Sequence, residues 1–116
     1  MMTKAILLHN PRCSKSRDAL KALEDKGITF TVRDYQKDPL SLDEVKSLLS
    51  ALNKTPIEMM RVKDPLFKAL KISNLDEVEQ AKAITKHPLL LERPIFWKGK
   101  KAAIGRPLEN ILSMIV

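Results

Sequence analysis

Lys4-Ala5-Ile6-Leu7-Leu8-His9-Asn10-Pro11-Arg12-Cys13-Ser14-Lys15-Ser16-Arg17 is the stretch around which the rest of the chain orders itself. A compact apolar run stops at Asn10-Pro11, a turn-forming pair, so Lys4 to His9 reads as a short buried strand. Immediately after the turn, Cys13 precedes a segment, Ser14 to Lys26, in which Ala19, Leu20 and Leu23 recur at helical spacing and Gly27 supplies a left-handed stop. Ile28, Phe30 and Val32 then alternate with Thr29, Thr31 and Arg33, the period of a strand. This is a βαβ unit with its first two strands parallel, and Cys13 stands at the joint between strand and helix.

Beyond it the signals become helical. Ser41-Leu42-Asp43-Glu44 has the form of a capping box ahead of Val45, Leu48, Leu49 and Leu52. Thr55-Pro56 and Asp64-Pro65 are further helix starts, each with a capping side chain before a first-turn proline, and a segment opening at Ser73 to Asp76 runs towards Lys86 until His87-Pro88 stops it. Ile95 to Lys98 and Lys101 to Ile104 flank Gly99-Lys100 as a hairpin, and Pro107 starts a last helix carrying Leu108, Ile111, Leu112 and Ile115. A βαβ half joined to a ββα half predicts an α/β chain with the thioredoxin-like arrangement: a mixed four-stranded sheet and a helical insert over about residues 41–86.

Composition narrows the chemistry. The length, 116 residues, is that of one domain, 1–116, and 44% hydrophobic with 30% charged residues is the balance of a folded globule. The excess of 21 Lys+Arg over 14 Asp+Glu gives a net charge of +7, which favours an anionic partner and leaves nucleic acid, membrane surface and small oxyanion open. Nucleic acid is not expected, because the only tight basic cluster is Lys98 to Lys101 and aromatic residues are just 4%. The three glycines leave no room for a dinucleotide fingerprint or a phosphate loop, and the single cysteine excludes an internal disulfide, a Cys-x-x-Cys pair and a cysteine-rich metal site. No metal or bound cofactor is expected. The apolar run Ala5 to Leu8 is too short for a signal-peptide core or a membrane span, so a cytoplasmic protein, without membrane contact and monomeric, is expected.

Cys13 at a helix start has electrostatic consequences. Free backbone N–H groups and the positive end of the helix dipole favour a thiolate, Arg12, Lys15 and Arg17 add cations, and the same N–H groups can cradle an oxyanion beside the sulfur. The competing possibility is a buried structural thiol. His9-Asn10-Pro11-Arg12-Cys13, with Ser16 and Arg17 three and four residues on, resembles the active-site loop of the ArsC family, the glutaredoxin-dependent arsenate reductases and their relatives. The resemblance extends through Glu92-Arg93-Pro94-Ile95 and Ile104-Gly105-Arg106-Pro107 and covers essentially the whole chain.

The resemblance implies Cys13 as nucleophile with His9, Ser16 and Arg17 assisting. It implies Arg61, Arg93 and Arg106 as oxyanion ligands beside Asn10 and Arg12, and a structural cis peptide at Pro94. It further implies arsenate or a similar oxyanion as substrate, glutathione as external reductant and glutaredoxin as partner. Arginine suits such a task, since it is always charged and its fork grips two oxygens at once, although a lone arginine is more often one half of a surface ion pair. Where the best-known reductases have Gly-Thr after the cysteine, this chain has Ser14-Lys15. An Spx-like regulator that binds RNA polymerase is the alternative; a disulfide switch of the Cys-x-x-Cys kind is closed to it, because Ser16 occupies the second position.

Overall fold

The four strands of the sheet run in the order β2-β1-β3-β4, with β1 (Ala5–His9) central and parallel to β2 (Thr31–Asp34), and antiparallel to β3 (Ile95–Lys98), which pairs in turn with β4 (Lys101–Ile104). This is a computed structural model, and it describes residues 4–115. The helices are α1 (Ser14–Asp25), α2 (Leu42–Leu52), α3 (Pro65–Ala69), α4 (Glu77–Lys86) and α5 (Glu109–Met114). The mixed α/β sheet of the sequence reading is present, and the helices between β2 and β3 fill residues 42–86.

Strand alternation divides the interior in two. Leu8 and Ile95 face one way into a core built with Val45, Leu48, Met59, Ile84 and Leu91, while Leu7 and Phe96 face the other into a core with Ala19, Leu23 and Ile111. Each of the fully buried Leu and Ile side chains is worth about 1.5–3 kcal/mol, so the sheet is clamped between the helical insert on one side and α1 with α5 on the other. Ser41 and Glu44 form the capping box reciprocally, Oγ accepting from Glu44 N–H and the carboxylate accepting from Ser41 N–H. Arg33 on β2 ties that carboxylate to the sheet in a forked ion pair.

Local readings differ from the sequence in three places. β2 begins at Thr31 rather than Ile28, and Val32 is 44% exposed, because β2 is an edge strand and the apolar pair that reaches the core, Ile28 and Phe30, does so from the approach to it. Thr55-Pro56 opens only a 3₁₀ turn, Ile57–Met59, since the chain straightens at Met60 to bridge Leu91. Pro107 lies ahead of α5, whose first helical residue is Glu109. The peptide bonds Arg93-Pro94 and Arg106-Pro107 are both cis; the second carried no sequence signal.

Candidate active site

β1 ends at His9, and the chain turns so tightly that the N–H of Cys13 donates to the carbonyl of Asn10 at 3.0 Å. Ser16 holds this turn from below. Its fully buried hydroxyl accepts from Asn10 N–H at 3.0 Å and shares a 2.7 Å hydrogen bond with His9 Nδ1. Asn10 Oδ1 accepts from Arg12 N–H at 3.0 Å, and Arg17 Nη1 donates to the Pro11 carbonyl at 2.8 Å. Thus the side chains of His9, Asn10, Ser16 and Arg17 are all engaged in shaping the loop of the cysteine.

Cys13 is the N-cap residue of α1 and is partly exposed. Burial would raise its thiol pKa, but the N–H groups of Ser16 and Lys15 and the guanidinium of Arg93 outweigh it, and the net shift is downward. Arg106 Nη2 lies 3.6 Å from the sulfur. Its Nε donates to the Arg93 carbonyl at 2.7 Å and stands 3.8 Å from a Glu92 carboxylate oxygen, which fixes the side chain across the end of the sheet. His9 is lowered by burial foremost, with Arg17 adding to the effect and Asp34 opposing it. Its ring nitrogen bonds Ser16, and it bears on the thiol through the loop.

Arg61 reaches the same end of the molecule by a separate route. The Met60–Leu91 bridge is flanked by Arg61 N–H donating to Leu90 O at 2.7 Å and Glu92 N–H donating to Met59 O at 2.8 Å, so the insert is stitched to the segment leading into β3. Arg61 and Arg106 thereby line one open cleft of about 470 Å³, together with Asp64, Glu92, Met60 and Pro65. Arg106 is common to the cleft and the sulfur, and Arg93 adjoins the sulfur from within. Arg93 and Arg106 thus stand beside the sulfur, and Arg61 joins Arg106 in the cleft.

Two of the expected cations sit elsewhere. Arg12 lines a different groove together with Asn10, also an expected oxyanion ligand, and with Pro11, Asp34, Gln36, Lys37 and Leu89, and neither Arg12 nor Asn10 lines the arginine cleft. Arg17, through its bond to Pro11 O, supports the loop rather than facing the thiol. Both lie near Cys13 in sequence, yet successive side chains around a turn and a helix start diverge. The sequence reading also missed the carboxylates: Asp64 pairs with Arg61 at 3.0 Å and Glu92 flanks Arg106. The i, i+3 spacing of Arg61 and Asp64 was the available signal for the first pair. Among the described residues no group of three His, Cys, Asp or Glu side chains is placed to hold a metal ion.

A four-stranded mixed sheet carrying a lone, acidified cysteine between its first strand and first helix, with a cis-proline before the third strand, defines a thioredoxin-like thiol protein. More narrowly, the chain belongs to the ArsC family, whose model matches residues 8–114. It is 47% identical to "Arsenate reductase" of Neisseria meningitidis over 117 residues, covering 98% of this chain and all of that one. It is 44% identical to "Arsenate reductase" of Haemophilus influenzae, covering 95% and 97%. The solved structure of "Arsenate reductase from Vibrio cholerae" superimposes with a TM-score of 0.90 at 37% identity, covering 97% of this chain and 98% of that one.

Proposed function

We propose that this chain is a thiol-dependent arsenate reductase in which Cys13 is the nucleophile, Arg61, Arg93 and Arg106 bind the oxyanion, and glutathione with glutaredoxin supplies the electrons. The observation that carries this reading is the sulfur of Cys13 at the start of α1, with Arg106 Nη2 at 3.6 Å and Arg93 beside it. A thiolate approaches a doubly charged oxyanion only where fixed cations cancel the repulsion, and these two guanidinium groups stand at that point. The named activity of the close relatives supports the substrate.

The cycle follows from a single thiol. The Cys13 thiolate attacks arsenic; a sulfur–arsenic bond forms and one arsenic oxygen, protonated, leaves as water. A glutathione thiolate then attacks Sγ of Cys13. The new sulfur–sulfur bond displaces arsenic, which keeps the electron pair of the broken sulfur–arsenic bond and departs as arsenite. A glutaredoxin thiol removes the glutathionyl group by exchange and restores Cys13. With one cysteine in the chain, both later thiols come from outside. We place the protein in the cytoplasm as a monomer with no bound cofactor, where reduced glutathione is at hand.

The test is arsenite formation from arsenate with glutathione, glutaredoxin and NADPH-linked recycling. Turnover that is abolished in Cys13→Ser and depends on both thiol partners is the expected result. No turnover, together with RNA polymerase retained by the immobilised protein, would replace this reading with that of an Spx-like regulator.

A further inference from the structure

The oxyanion cleft occupies only one flank of Cys13. Along the edge of the sheet where β1 ends, the strand order puts the end of β2 on one side of the cysteine loop and the start of β3 with the end of β4 on the other. Glu92, which precedes β3, and Arg106, which follows β4, place the arginine cleft on the second side. On the β2 side lies the groove of Arg12, about 440 Å³, walled by Asn10 and Pro11 of the loop itself and sharing no lining residue with the cleft. A groove of this size takes a small ligand. Its charged side chains, Arg12, Lys37 and Asp34, form no ion pair among the described residues. Asp34 is held by its Oδ1, which accepts from Gln36 N–H at 3.1 Å, and Leu89, 47% exposed, adds an apolar wall. Two cations and one anion beside an apolar ledge complement a zwitterion with two carboxylates and one ammonium, whereas Asp34 would oppose a phosphate or a nucleic-acid backbone.

We propose that this groove holds glutathione, with Arg12 and Lys37 each taking one of its carboxylates and Asp34 its ammonium, and that it brings the thiol to Cys13 from the side away from arsenic. The reaction itself demands that direction. Displacement at sulfur runs in line, so the attacking thiolate and the departing arsenic stand on opposite sides of Sγ. With the oxyanion held by Arg106 and Arg61, arsenic departs towards β3 and β4, and the incoming thiolate has to arrive from the β2 flank. Glutathione carries its thiol on the central residue, between its two charged ends. A groove that anchors both ends beside the loop keeps that sulfur next to the loop, and a reactant held in position attacks faster than one met by diffusion.

The proposal rests on the glutathione-dependent cycle above, but its test needs no arsenate: absent arsenate turnover beside the rates expected below would overturn that function and uphold the groove. In the test the Cys13 thiolate attacks glutathione disulfide, forming the Cys13–glutathione disulfide of the cycle and releasing one glutathione thiolate. Its rate in the full chain at neutral pH is divided by the rate with the uncharged bis(2-hydroxyethyl) disulfide, so that any change in the thiol itself cancels. In Arg12→Glu and in Lys37→Glu this ratio should fall about three- to tenfold, the effect of turning one exposed attraction into a repulsion. Lys100→Glu, the same change of charge on the exposed hairpin, should leave the ratio unaltered. An unaltered ratio in either groove variant, or an equal fall in Lys100→Glu, overturns the proposal. Should Cys13 react with neither disulfide, titration of isotope-labelled protein with S-methylglutathione decides: shifts of the Arg12 and Lys37 amide signals uphold the groove, and their absence overturns it.

Discussion

Replacing Ser16 by alanine removes one oxygen from the loop beneath Cys13, and the structure allows the cost to be worked through. That oxygen is the acceptor for Asn10 N–H and the partner of His9 Nδ1, and all three residues are buried. The alanine methyl cannot replace it, and no water enters a site so enclosed, so one backbone donor and one ring nitrogen lose their partners. A buried group left unsatisfied costs about 1–3 kcal/mol, and alanine recovers about 0.5 kcal/mol of helix propensity at this third helical position. For the two groups together the expected net loss is about 1.5–5.5 kcal/mol, a large share of the stability of an ordinary domain of this size. Urea denaturation followed by circular dichroism at pH 7 should show it as a lower midpoint with an unaltered slope. The Ser16 N–H is retained, so the folded variant should keep an acidified Cys13. A stability change below about 0.5 kcal/mol would refute the assignment of Ser16 as the tie between His9 and the cysteine loop.

Further expectations follow from other contacts. Since the folded pKa of Cys13 is depressed, alkylation should persist to lower pH in native protein than in the urea-unfolded chain; coincident titration curves would contradict the arrangement around the sulfur. Arg106→Lys keeps the charge but loses the fork, and calorimetry should show oxyanion affinity falling about ten- to a hundredfold, whereas changes at the exposed hairpin residues Lys98 and Lys100 should do little. Glu44 is held at about 2 by Arg33 first of all, against an ordinary 4.5, so its contribution is complete above pH 4.5 and is lost as the pH falls towards 2. Because its side chain is 37% exposed, that contribution is about 1 kcal/mol after solvent screening, and Glu44→Gln should flatten the acid limb of the stability profile. In Gly105→Ala the new methyl would stand 2.6 Å from Ile111 Cδ1 and 2.9 Å from Pro94 Cγ; thermal melting should reveal a loss of about 1–3 kcal/mol, because the proline ring cannot yield as the isoleucine tip can.

The first third of the chain was legible because each local signal agreed with the tertiary answer: a bounded apolar run, a turn, an amphipathic helix and Gly27 at a φ of +68°. The exposure of Val32 was not legible because alternation reports which residues are apolar, not whether an edge strand's face is covered there. Within the site, Cys13 was legible through its place between strand and helix. Arg12 and Arg17 were read as thiol partners from proximity along the chain, which says nothing of direction. Asp64 was read only as a helix cap and Glu92 only as part of a matching stretch; their bearing on one cleft depends on the Met60–Leu91 bridge, which joins segments tens of residues apart.

If the arginine cleft binds the oxyanion as proposed above, the carboxylates of Asp64 and Glu92 make it an ion exchanger rather than a bare positive bowl. Arg61 already leans on one acid and Arg106 on the other, so an entering anion has to trade places with a carboxylate that is tethered at high local concentration. A monovalent halide brings too little charge and only one contact for that exchange, whereas a tetrahedral dianion can engage two forks at once and leave both acids to the solvent. On the function proposed above, discrimination against the abundant small anions of any biological fluid would come from the same residues that lower the net positive charge of the cleft.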